Sequence, residues 1–165
     1  LEYYHGFYAL IVYADAFYSR DAWQDDAGVL HTDPDLRAGE AWGRGPVIVS
    51  WADITRSRRG HNVIIHEMAH KLDMLDGDAN GRPPLHKDMN PQAWTAAFSE
   101  AYARHVEEVD AGIETEIDAY AATDPAEFFA VTSEVFFEAP EVLRRIWPQV
   151  YAQLALYYRQ GDAAV

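Results

Sequence analysis

Asn62-Val63-Ile64-Ile65-His66-Glu67-Met68-Ala69-His70-Lys71-Leu72-Asp73-Met74-Leu75 is the stretch whose reading decides the fold of this chain. Asn62 can cap a helix, and Val63, Ile64, Ile65, Met68, Ala69, Leu72 and Leu75 spread around its circumference. A helix from about 62 to 75 is therefore predicted to be central and buried. Inside it stands H-E-x-x-H. Side chains four apart share a helix face, so His66 and His70 can offer two imidazole nitrogens to one metal ion. Glu67 is then placed to act as a base towards a water on that ion, the arrangement of zinc hydrolases. A buried helix rarely carries two histidines and a glutamate without partners for them. Asp73 shares the face and is predicted either to accept the outer N–H of a ligand histidine or to be an exposed residue of the last turn.

The rest of the chain limits what surrounds this helix. It has 165 residues, enough for one domain over 1–165 with a proper core, and 49% hydrophobic with 24% charged residues is a globular balance. No apolar run reaches the roughly 20 residues of a membrane helix. Phe7 to Tyr13 lacks the flanks of a signal peptide. The first residue is Leu rather than Met, which predicts a fragment lacking an N-terminal region. Cysteine is absent, so a metal must be held by His, Asp or Glu, and a reducing cytoplasm fits. A net charge of −14 argues against direct contact with a phosphate backbone.

An α+β fold is predicted: a small mixed or antiparallel sheet in the N-terminal part and mostly helices after it. Residues 7–18 read as a buried strand and Pro46 to Trp51 as a second. Asp25, Asp26, Gly28, Pro34, Gly39, Gly43 and Gly45 predict a short hairpin and an irregular loop between them. Arg56, Arg58 and Arg59 read as a solvated basic loop. Asp76-Gly77-Asp78-Ala79-Asn80-Gly81 opens like a calcium loop, but Lys87 stands where the bidentate Glu belongs and Pro83-Pro84 interrupts it, so a plain turn is predicted. Helices are expected from Asn90-Pro91 to about Asp110, from Asp124-Pro125 to Ala139, from Glu141 to Ile146 and from Gln149 to Arg159, with His105 a core residue of the first. Residues 111–123 are expected to form a loop.

A catalytic zinc takes three protein ligands. Asp73 and Asp76 stand where the compact H-E-x-x-H-x-x-G-x-x-H pattern needs Gly and His, so the third ligand should come from a later helix. Glu127 and Glu134, seven apart, are both candidates. Spacing does not choose between them, and Glu127 also sits where a glutamate stabilises a helix start.

Gly60-His61-Asn62 through Asp76-Gly77, with Gly45 to Trp51 upstream and Ile117-Asp118-Ala119-Tyr120 through Glu127-Phe128-Phe129-Ala130-Val131 downstream, resembles the Mlc titration factor A family over about residues 20 to 160. The resemblance implies a zincin-type metallopeptidase domain, similar at its site to anthrax lethal factor. It implies Zn2+ on His66, His70 and Glu127, Glu67 as general base and Tyr120 as donor to the developing oxyanion, and leaves Glu134 beside a ligand or on the helix face. Lys71 departs from the broader pattern and is expected to reach out of the buried helix. The implied activity is aminopeptidase-like hydrolysis of peptide substrates. The edge of the Val47–Val49 strand is expected to bind an extended peptide. The implied alternative is a regulatory protein that sequesters the Mlc transcriptional repressor. A structural zinc is the third reading, and Glu67 argues against it because such a site needs no base.

Overall fold

The computed structural model describes residues 4, 7–19, 23–24, 30–31, 35–43 and 45–161. Among the described residues, seven short strands precede six helices: β1 (Leu10–Tyr13), β2 (Phe17–Ser19), β3 (Trp23–Gln24), β4 (Leu30–His31), β5 (Asp35–Arg37), β6 (Gly39–Ala41) and β7 (Val47–Ser50), then α1 (Trp51–Arg56), α2 (Val63–Asp73), α3 (Pro91–Asp110), α4 (Pro125–Glu138), α5 (Pro140–Ile146) and α6 (Pro148–Tyr158). A single 3-10 turn, Ala119–Ala122, interrupts the connection between α3 and α4. The fold is α+β and mostly helical, as the sequence predicts.

The main sheet has the order β1-β7-β6, with β1 parallel and β6 antiparallel to β7. Two predictions are corrected by it. The apolar run 7–18 is not one buried strand. It breaks after Tyr13, and Phe17–Ser19 leaves to pair with Asp35–Arg37. All four residues of β1 are exposed, because β1 is an outer strand of the sheet. The edge of Val47–Val49 cannot receive a peptide either. β7 is the central strand, paired on both sides, and on the cleft side the outer strand is β6. A hairpin does form, between β3 and β4. Asp25, Asp26, Gly28 and Pro34 lie outside the described residues.

Trp51 is not a strand residue. Ser50 caps α1 by accepting from the Asp53 N–H, and the chain turns directly from β7 into helix. α2, α3 and α4 start by the same chemistry, whereas α5 and α6 begin at Ala139 and Trp147 with no side-chain cap. Asn62 accepts from the N–H groups of Ile64 and Ile65, Asn90 from Gln92 and Ala93, and Asp124 from Ala126 and Glu127. The last two have proline at the first helical position, where a missing N–H costs nothing.

No residue of α2 is exposed, in line with its predicted central place. It packs against β6, β7, α1 and above all α4. Beneath it lies an aromatic core. Trp94 stacks on Phe98 at 4.3 Å, and Phe128, Phe129 and Tyr157 meet them edge-on or tilted. Offset and edge-to-face packing of such rings adds to the stabilisation from burial alone. α4 is the inner wall of this core, with ten successive or near-successive residues from Ala126 to Phe136 buried. His105 is a core residue, as predicted. It is fully buried, and its Nε2–H donates to the Asp118 carbonyl at 3.0 Å, which fixes the entry to the turn carrying Tyr120.

Candidate metal centre

α2 and α4 converge so that His66, His70 and Glu127 each bring one donor atom to a common point, all within 4.8 Å of one another. Each is placed by local chemistry. The Asn62 cap starts α2 one turn before His66. The Asp124 cap and Pro125 start α4 two residues before Glu127. Glu127 therefore has its backbone N–H satisfied by Asp124, while its side chain is turned to the histidines instead of back to the cap. The turn after α2 sets the spacing of the two helices. Asp73 is fully buried, and its Oδ2 accepts from the Asn80 and Gly81 N–H groups at 2.8 and 2.6 Å. Gly81 has φ +75° and lies so close to the Pro125 carbonyl that any Cβ there would clash. Asp76 to Gly81 is thus a turn that docks α2 onto the start of α4, and no calcium-type carboxylate cluster forms there among the described residues.

The triangle of donors has edges of 3.1 Å between the two Nε2 atoms, 3.0 Å from His66 Nε2 to Glu127 Oε2 and 3.5 Å from His70 Nε2 to Glu127 Oε2. Bonds of about 2.0–2.1 Å in tetrahedral geometry put neighbouring ligand atoms ~3.3 Å apart. The three atoms therefore fit one face of a tetrahedron around a small divalent ion. Glu127 Oε2 is buried in that triangle with no hydrogen bond of acceptable geometry, despite the nearby imidazole. Two imidazole nitrogens facing each other at 3.1 Å require a proton or a cation between them.

The outer nitrogen of His66 has a partner that spacing alone did not identify. His66 Nδ1 lies 2.8 Å from Glu134 Oε1. Glu134 Oε2 accepts the Asn62 N–H, and Asn62 Nδ2 donates to Glu138 Oε1 at 2.6 Å. One carboxylate thus orients the ring and holds the start of its helix. Asp73, the residue expected to do this or to lie exposed, does neither. Its Oδ1 and His70 Nδ1 are both buried without a hydrogen bond.

The site's electrostatics favour a positive charge at the triangle. Burial pulls the His66 pKa down, but the carboxylates of Glu127 and Glu134 outweigh it and lift it to about 10. Burial also works against the charge of Glu127, yet His66 and His70 hold its carboxyl below the usual carboxylate range. A proton at His66 Nε2 therefore occupies the place a metal would take, and the metal must displace it. The sign follows: below the raised pKa each bound ion releases that proton, so affinity rises with pH. Apparent metal affinity, measured against a competing chelator, is expected to climb by up to about tenfold per pH unit from 7 towards 10. A plateau above pH 7 would contradict this.

Glu67 stands beside the triangle. Burial raises its pKa to about 7, with the two histidines opposing. An added Cβ on Gly39 of β6 would come within 2.4 Å of Glu67 Oε1, so only glycine lets the strand pass over this carboxylate. Tyr120 also stands close, its ring centroid 6.1 Å from that of His66. Partial burial and the Glu127 charge raise the phenol to about 12, which keeps it a hydrogen-bond donor at any working pH. All of these residues line one cleft of about 1210 Å³ between β6, α1, α2 and the 3-10 turn.

Lys71 does not reach out of the helix. It is 1% exposed, and its ammonium donates to the carbonyls of Trp42, Gly43 (3.1 Å) and Gly45 (3.0 Å). Burial lowers its pKa. The three carbonyls offset the desolvation, and the lysine ties the loop after β6 to the helix.

Comparison with known proteins adds to this geometry. A family model described as Glucose-regulated metallo-peptidase M90 matches residues 1–159. Proteins named Mlc titration factor A are similar over nearly the whole chain. The one from Yersinia enterocolitica is 42% identical over 164 residues, 96% of this chain and 61% of its own length. Those from Edwardsiella ictaluri and Escherichia fergusonii are 44% and 40% identical, over 94% and 98% of this chain and 61% and 62% of their own. The chain thus spans about 61% of the length of the curated relatives it matches.

Proposed function

The chain belongs to the glucose-regulated metallo-peptidase M90 family, and from that premise we propose that it is a zinc-dependent peptidase, aminopeptidase-like, with His66, His70 and Glu127 as the zinc ligands. The observation that carries the reading is the donor triangle itself. Its edges fit a tetrahedral ion, and a buried carboxylate and a neutral phenol stand beside it in the same cleft. All-nitrogen-and-oxygen donors with one carboxylate suit zinc, and three protein donors leave a position open.

When bound, zinc supplies Lewis acidity that polarises a carbonyl and lowers the pKa of water. Glu67 takes the proton of the attacking water and passes it to the leaving amine; a carboxylate raised to about 7 is suited to both transfers near neutral pH. Tyr120 donates its O–H to the oxyanion that forms on the scissile carbonyl. Glu134 holds His66 in one tautomer and one orientation, with Nδ1 carrying the proton and Nε2 free to ligate. β6, the outer strand on the cleft side, is the edge along which an extended peptide can pair, in place of β7. Tyr120→Phe tests the oxyanion role. A lost donor costs about 3–4 kcal/mol, so turnover should fall roughly 100- to 1000-fold while zinc stays bound. A Phe variant with full turnover would remove Tyr120 from the mechanism.

A second reading is favoured by the name of the relatives, Mlc titration factor A, which says that they titrate Mlc. On this reading the chain binds an Mlc-type repressor in the cytoplasm and hydrolysis is secondary. Repressor binding by His66→Ala protein, measured by calorimetry, separates the two. Binding that survives loss of the metal makes titration an independent activity. Binding lost together with the metal, in protein that remains folded, makes the metal site part of the docking surface.

A further inference from the structure

The chain carries 27 acidic and 13 basic residues, yet its cleft has an arginine-bearing end. Three arginines follow closely on α1 and the loop after it, and they are used differently. Arg59 is structural: its Nη2 lies 2.7 Å from Glu141, and its Nε donates to the Glu138 carbonyl. Arg56 lines the cleft, and its one ion pair among the described residues is with Asp53, one turn back at 3.7 Å, an exposed pair of the kind that contributes little. Arg58 also lines the cleft. Its carbonyl is fixed by the His61 N–H at 2.7 Å, but its side chain has no ion pair among the described residues. Two acidic side chains share this end of the cleft. Asp53 faces Arg56, and Glu40 faces Arg37 at 3.8 Å and accepts from the Trp42 indole.

These arginines stand at a definite end of the cleft. β6 starts at Gly39, against Glu67, and the chain just after it reaches Lys71, so strand and helix run the same way. The Ser50 N–H donates to the Ala38 carbonyl, which puts α1 and its arginines at the Gly39 end. Trp42, Met74 and Ala79 line the other end. A peptide carries an ammonium at one terminus and a carboxylate at the other. The arginine end repels the first and attracts the second, so a peptide laid along β6 should run antiparallel to it, with its C-terminal part towards Arg56 and Arg58.

We propose that Arg56 and Arg58 form a carboxylate-recognising rim, which selects peptides bearing an acidic side chain or a free C-terminus downstream of the scissile bond. The proposal rests on the peptidase reading and names the substrate class for it. Two arginines at a solvent-open rim give discrimination of modest size that salt weakens. The test uses zinc-loaded protein and four peptides: Leu-Gly-Gly-Glu-amide, Leu-Gly-Gly-Gln-amide, and Leu-Gly-Gly-Gly with a free and with an amidated C-terminus. At about 50 mM salt, kcat/KM for the Glu peptide should exceed that for the Gln peptide roughly fivefold, mainly through KM, and the ratio should approach one at high salt. The free and amidated pair tells whether a terminal carboxylate is also read. The Arg56→Ala, Arg58→Ala double variant should lose the discrimination, and Arg104→Ala, on the exposed part of α3, should keep it. Equal rates across both pairs, or discrimination that survives the double variant, would overturn the rim. If the protein hydrolyses none of the peptides, the peptidase reading fails by itself. Affinities of the same four peptides for zinc-loaded Glu67→Gln protein, measured by calorimetry, then decide the rim separately.

Discussion

Glu67→Gln protein is expected to keep its zinc and lose about 10²- to 10⁴-fold in turnover of amino-acid anilides, the range a positioned general base contributes. The reason lies in where Glu67 stands. It is not a corner of the donor triangle, so exchanging a carboxylate oxygen for an amide nitrogen removes no ligand. The amide has nearly the same shape, and the space left by Gly39 still accommodates it. What disappears is a group able to hold a proton between two transfers. Elemental analysis and a thermal melt on the same sample serve as controls. Equal turnover with metal in place would show that the water is activated without this residue and would sink the proposed mechanism. Turnover lost together with metal would mean that Glu67 helps to hold the ion.

Glu127→Ala should have the opposite signature, with the metal lost and the fold kept. Removing an outer-shell partner of a ligand costs roughly 10- to 100-fold in affinity, so removing a ligand should cost more than about 100-fold. The fold should survive because the start of α4 is held by Asp124 and Pro125, neither of which depends on the Glu127 side chain. Metal content of protein purified without added zinc, compared with wild type, is the measurement. Glu134→Gln marks the scale, with a loss inside the 10- to 100-fold range. Wild-type metal content in Glu127→Ala protein would mean that the later carboxylate does not ligate, and the hydrolase assignment would rest on two histidines alone.

The five helices after α1, and the caps of α2, α3 and α4, are legible in the sequence because they follow from local chemistry. Asn62, Asn90-Pro91 and Asp124-Pro125 each act where the residue types predict. What needed long-range placement was harder to read. The spacing of Glu127 and Glu134 left the two equivalent, since seven residues return to the same helix face. The structure separates them: one lies at the triangle and the other on the outer nitrogen of His66, 2.8 Å away. The order of the sheet was not legible either. The most apolar strand, Val47–Ser50, became the central one because it is paired on both sides. The edge on the cleft side belongs to Gly39–Ala41, whose composition looks like loop. α1 did carry a signal, Ser50 three residues before Asp53, but the apolar run through Trp51 concealed it. The partners of Lys71 were the least accessible, because they are backbone carbonyls about 26 to 29 positions away, and no residue type announces a carbonyl.

That lysine has a mechanical consequence. It follows the second histidine directly and grips the loop that closes one flank of the cleft, so floor and flank are tied together. The groove cannot widen by swinging this flank outward unless an ammonium is stripped of all its acceptors in a dry interior. For the proposed peptidase, bulky chains would then enter lengthwise from an open end, or by movement of the short turn that carries the tyrosine.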